Sequence, residues 1–306
     1  MTNILCRNIK FILEIYFLVT IIFGMKKKVL IVLFLLLVTG CGTRFFYYQL
    51  DWLIPFFLRD YISLNSEQKT ILKERLIKQI DWHCKTQLAD YSEALRSLSK
   101  DLSDPDHPID YDGLNDYYVK FRGFWAELIR QVAPDIAEIL RTATDAQIEE
   151  LFDNLDERND ELRAEYIDLP PEERMKEREE RMVKGLRKWL SDPTSDQEQA
   201  VSAWSKQLKP IGQEWLLYRD KVQEEVINLL KQRKELPGFD QKLVEILTHP
   251  ERMRSSAYQT KSDYNRDITL KLGVNIIHLM TPEQRTHLLK RIDSFATDFE
   301  KIKCDD

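Results

Sequence analysis

The chain has 306 residues, 45 basic and 51 acidic, with a formal net charge of −6; 43% are apolar and 31% charged. This is the composition of a folded chain able to bury a large core, in one domain or two. Its acidic balance argues against a nucleic-acid partner and gives no general attraction to anionic lipid.

Residues 1–24 contain a short apolar stretch, Phe11 to Gly24, broken by Glu14. They read as an N-terminal extension from a start assigned too early, with Met25 the true beginning. Residues 25–40 follow as "MKKKVLIVLFLLLVTG": three lysines, an apolar run from Val29 to Val38, then Thr39 and Gly40. A charged start, a short apolar segment and small residues before a cut make a signal peptide. Its run of about ten residues is half of what a bilayer span needs. The alternative is one spanning helix made from both apolar stretches, which must bury Lys26, Lys27 and Lys28 at considerable cost.

The signal ends in "VTGC", which resembles the bacterial lipobox. The resemblance implies that Cys41 is acylated, palmitate included, and becomes the first mature residue. With Gly42 rather than Asp next, it also implies sorting to the outer membrane, facing the periplasm. An ordinary secretory signal with Cys41 incidental is the other reading. Processing at Cys41 removes five bases and one acid, so residues 41–306 carry a net −10.

Eight rings follow within "FFYYQLDWLIPFFLRDY": Phe45, Phe46, Tyr47, Tyr48, Trp52, Phe56, Phe57 and Tyr61. At ~150–250 Å² each they exceed what a soluble monomer leaves uncovered. Leu50, Leu53, Ile54, Phe57, Leu58, Tyr61 and Ile62 keep helical spacing and predict one apolar face, with Pro55 a kink point. That face either docks on the protein's own core, meets a membrane interface, or lines a binding groove. Trp52, Phe56, Phe57 and Tyr61 are the candidate partner or membrane contacts. Cys41 and Phe45 stand at most about 14 Å apart, so the domain is expected close to the bilayer.

The rest of the chain reads as all-α, a bundle of roughly ten helices. One helix start recurs, as "LNSEQ" at Leu64, "ATDAQ" at Ala143, "PTSDQ" at Pro193 and "MTPEQ" at Met280. Each sets Asn or Thr (Asn65, Thr144, Thr194, Thr281) three residues before Gln (Gln68, Gln147, Gln197, Gln284), the spacing of a capping box. The first and last copies match beyond the cap and read as an internal repeat; the middle two read as convergent helix-start chemistry. Residues 144–190 predict an antiparallel helical hairpin broken at Pro170 and Pro171, its tip at Glu172 and Glu173 protruding into solvent. From Glu149 to Arg181 there are fourteen acids and six bases, either a solvated face or a surface for a basic partner.

Asp51-Trp52-Leu53, the cap from Asn65 to Gln68 and Trp82-His83, together with Cys41, resemble an uncharacterised family of proteobacterial lipoproteins, which implies no activity. The Gln-bearing caps are more weakly similar to the Leu-Thr-x-x-Gln helix starts of Spy-like periplasmic chaperones. Phosphate loops, nucleophile elbows and paired zinc-ligand histidines are missing from the sequence. No catalytic residue, metal or cofactor is expected. Cys84 and Cys304 are a candidate disulfide: if their two capped helices pack side by side and parallel, the offset between them is only about 6 Å. Two unpaired thiols remain the alternative. The expectation is an outer-membrane-anchored lipoprotein with a non-enzymatic, protein-binding or chaperone-like role toward unknown envelope proteins. An accessory subunit of one envelope complex is the alternative, and an envelope-polymer hydrolase stands third.

Overall fold

The computed structural model describes residues 42–104 and 106–304. Among them are eleven α-helices, one 3-10 turn and no strand, as expected of an all-α bundle. With nine glycines in the chain, the helix boundaries are set mainly by side-chain caps at the starts, such as Asn65, Asp110 and Ser255, and by prolines. Two short helices, α1 (Gly42–Tyr47) and α2 (Leu50–Leu58), lead into α3 (Ser66–Ser103). At 38 residues α3 is about 57 Å long. The next helix, α4 (Tyr111–Arg141), returns antiparallel along it. Arg75 meets Glu138 and Gln79 meets Asp135 at one end, while Tyr117 donates to Asp101 at 2.6 Å at the other.

This long pair carries a core at each end. Around the Gln68 end, α5 (Asp145–Tyr166), α8 (Gly212–Lys231) and α9 (Phe239–Thr248) enclose Ala137, Ile148, Phe152, Leu230 and Phe239. Around the Leu102 end, α6 (Pro171–Leu190), α7 (Ser195–Gln207), α10 (Ser256–His278) and α11 (Pro282–Glu300) enclose Leu190, Val201, Trp204, Ile276 and Ile292. Here α4 and α10 approach so closely that a Cβ on Gly273 would stand 2.8 Å from Leu114 Cδ2. A third, small cluster of Cys84, Leu88, Tyr91 and Ile302 lies midway along α3.

All four recurring starts are complete capping boxes, the two weaker copies included. Their glutamines then couple in pairs. Gln68 and Gln147 donate to each other's Oε1 at 3.1 and 2.7 Å, and Gln197 and Gln284 do so at 2.8 and 2.9 Å. Each amide thus caps its own helix and docks on the start of another. The pairing joins the first copy to the second and the third to the fourth. The first and last copies, read from sequence as the repeat, do not meet.

The expected hairpin over 144–190 needs correction. The chain does turn at residues 167–170, but α5 faces the first core along α8, and α6 faces the second along α7 and α11. Nor does the turn protrude. Leu162 and Ile167 are buried, and a Cβ on Gly212 at the start of α8 would meet Ile167 Cγ1 at 3.1 Å. Arg174 closes the turn by donating to the Ile167 carbonyl at 2.9 Å. Periodicity identifies the apolar face of a helix but not the helix it packs against, and here each arm had another partner.

Candidate functional site: the N-terminal aromatic face

The fold takes hold of the chain almost as soon as the described residues begin. Arg44 Nε lies 3.3 Å from Asp298, and the Lys303 N–H donates to the Tyr48 hydroxyl at 2.8 Å. Tyr47 turns inward, its hydroxyl 3.2 Å from the Ile80 carbonyl and 3.1 Å from His83 Nδ1. Burial raises the Tyr47 hydroxyl well above its ordinary range, so it acts here as a neutral donor. In this way α1 is fixed both to the middle of α3 and to the tail after α11. Cys41 lies outside the described residues.

The same junction contains a disulfide between Cys84 and Cys304, whose Cα atoms are 5.6 Å apart. The parallel packing from which this pair was read needs correction. Arg285 donates to the Leu102 carbonyl, Arg96 meets Asp293 and Glu300, and Ser92 donates to Glu300. The contacts run in opposite directions along the two helices, so α11 is antiparallel to α3. Cys304, just past α11, is thereby carried back to the middle of α3.

Burial lowers His83 from 6.5 to about 4 and keeps the ring neutral in the fold. As pH falls through 6.5 the unfolded chain takes up a proton that the folded one refuses until about pH 4. Stability is therefore expected to drop across that window, by up to about 3 kcal/mol. Urea titrations at pH 7, 5.5 and 4 read this directly, and His83→Phe should flatten the decline. Equal declines in both proteins would exclude His83 as its source.

In α2 the eight-ring segment divides. Tyr61, just beyond it, is buried and belongs to the first core. Phe56 and Phe57 are half-buried, and no residue of α2 is fully buried. Trp52 is 59% exposed, Tyr48 50%, Phe45 48% and Ile54 40%. Of the expected face, Tyr61 and Ile62 are buried, Leu50, Leu53, Phe57 and Leu58 are half-buried and Ile54 is exposed, while Trp52 lies on the opposite side of the helix. Trp52 stacks on Phe56 at 5.3 Å, and the Arg59 guanidinium lies over the same ring at 4.2 Å. Between α2 and the first turns of α3 lies a cleft of about 400 Å³, walled by Trp52, Pro55, Phe56, Ile62 and Leu72, with Arg59 and Lys69 also lining it.

Glu172 and Glu173 are exposed in the first turn of α6, where the helix dipole favours acids. A second cleft, of about 390 Å³, is lined by groups of both signs, among them Glu225, Lys242, Glu245 and Arg252. Among the described residues no group of three or more His, Cys, Asp or Glu is placed to hold a metal ion. None of their helices is long and apolar enough to cross a membrane.

Two buried arginines had no signal in the spacing. Arg233 donates to the Ala143 and Leu230 carbonyls and to Asp145, and these bonds tie the ends of α4 and α8 to the start of α5. Arg219 donates to Asn159 Oδ1 at 3.0 Å, and burial lowers it to about 10. Both serve the first core.

A family model, described as Family of unknown function (DUF6279), matches residues 60–259. No curated protein and no solved structure matches the chain. The matched span starts just past α2 and ends in the first turn of α10, so the aromatic face and α11 lie beyond it. Similarity to Spy-like chaperones is not among the findings.

Proposed function

From the premise that the chain belongs to the DUF6279 family of unknown function, we propose a lipid-anchored, non-enzymatic protein-binding module on the periplasmic face of the outer membrane. The observation that carries this reading is the junction at α1. Arg44, Tyr47 and Tyr48 are each engaged by distant parts of the fold, within seven residues of the proposed anchor at Cys41. Such a domain would be held at fixed height and orientation, without the long tether that lets a lipoprotein range through the periplasm. A fixed stance suits a binding surface, and the exposed acids of α6, Glu172 and Glu173 among them, offer one to a basic partner.

The same rigidity favours one variant of this reading, an accessory subunit dedicated to a single envelope complex, over a chaperone that meets many clients. Crosslinking in intact cells from a photoreactive residue at Glu172 tests both. One discrete polypeptide adduct is expected. A broad smear that grows under envelope stress would make the protein chaperone-like. No polypeptide adduct from this site or from others on α5 and α6 would sink the protein-binding role.

A further inference from the structure

We infer that α2 and the cleft behind it seat directly on a zwitterionic phospholipid surface, with Trp52 in the interface and Arg59 and Lys69 at headgroup phosphates. The inference rests on the lipid anchor at Cys41 proposed above and adds a second, non-covalent contact to it.

Position points to the bilayer first. Trp52 stands ten residues after Gly42 along two helices, so it lies no more than about 20 Å from the start of α1. A domain anchored at Cys41 and fixed through α1 has no slack to lift this face clear of the membrane. Ring type points the same way. Tyr48 and Trp52, both at least half exposed, are of the residue types that settle at headgroup depth, and Phe45 adds exposed apolar surface one helical turn before Tyr48.

Charge then selects the lipid. Arg59 and Lys69 line the apolar cleft and form no ion pair among the described residues; the Arg59 guanidinium rests over the Phe56 ring and has no carboxylate partner. A phosphate oxygen is the acceptor such unpaired cations suit. Asp51, Asp60 and Glu67 on the same segment keep the patch from being cationic as a whole. A zwitterionic headgroup, with phosphate and amine both present, fits that mixture better than a strongly anionic leaflet. The cleft would take part of one acyl chain beneath its headgroup.

The test uses the full, acylated protein in phosphatidylethanolamine–phosphatidylcholine vesicles, with acyl chains brominated near the glycerol end as quenchers of tryptophan emission. The chain has six tryptophans, and Trp52→Phe removes the exposed one on α2. Brominated lipid is expected to quench the part of the emission that Trp52 contributes, and that loss should vanish in Trp52→Phe. Arg59→Gln with Lys69→Gln should at least halve it. Quenching that survives Trp52→Phe, or no quenching of a vesicle-bound protein, overturns the seat and leaves the anchor standing. A protein without acyl mass on Cys41 that stays off the vesicles overturns the anchor and the seat together. A polypeptide crosslinked at Trp52 in cells would give this face to a protein instead.

Discussion

Opening the Cys84–Cys304 bridge is expected to cost about 3–5 kcal/mol of stability. The bridge joins residues 220 apart in sequence. In the chain-entropy model a loop of that size confines the unfolded chain by on the order of 5 kcal/mol, an upper figure because unfolded chains retain structure. Native contacts depend on it too. Ile302 is buried beside the bridge, and Lys303 donates to Tyr48, so the tail that opening releases is the one that holds α1. Urea unfolding with and without reductant measures the loss. Cys84→Ser, Cys304→Ser and the double variant should all show nearly the same deficit, because either change alone removes the whole bond. Hydrogen exchange should rise first in α1 and after Phe299. Two alkylatable thiols in the protein kept under oxidising conditions, or a shift below about 0.5 kcal/mol, would end this account.

How far such a result could be foreseen from sequence differs by element. The helical class and the helix starts were plain, because Asn65, Thr144, Thr194 and Thr281 act on backbone within three residues of themselves. Local chemistry of this kind is written locally. The pairing of Cys84 with Cys304 was one of two open readings, and its expected geometry had the helix direction reversed. A rise of 1.5 Å per residue relates two helices equally well in either sense once their offset is free. What the glutamines do second, docking on another helix start across 79 or 87 residues, leaves no trace in spacing. The same holds for α5 and α6, whose stripes marked faces without naming partners. In the candidate site, the exposed rings and the buried Tyr61 came from one periodic segment. Which of them the protein covers was decided by where α2 ends against α3, a tertiary matter.

The glutamine pairs carry the second large effect. Gln197 is fully buried, and its Oε1 accepts from the Thr194 N–H at 3.0 Å and from Gln284. Its amide donates to Gln284 and to the Leu279 carbonyl at 3.2 Å. Gln197→Leu therefore removes half of a capping box, about 1 kcal/mol. It also strips partners from buried Gln284 and from the Leu279 carbonyl, at ~1–3 kcal/mol for each group left dry. Partial relaxation of the junction brings the expected total to about 3–4 kcal/mol. Gln284→Leu should cost a similar amount, because its amide also holds the Asp192 carbonyl at 2.9 Å. Made together, the two changes should cost clearly less than their sum, because the second removes the group that the first had stranded. Exposed Gln199, two residues along the same helix, is the control: Gln199→Ala should stay within about 0.5 kcal/mol of wild type. A coupling near zero between Gln197 and Gln284 would mean that each box caps its own helix alone. A coupling above about 1 kcal/mol would make the reciprocal amide pair the clasp that fixes α7 to α11, and Gln68 with Gln147 its counterpart between α3 and α5.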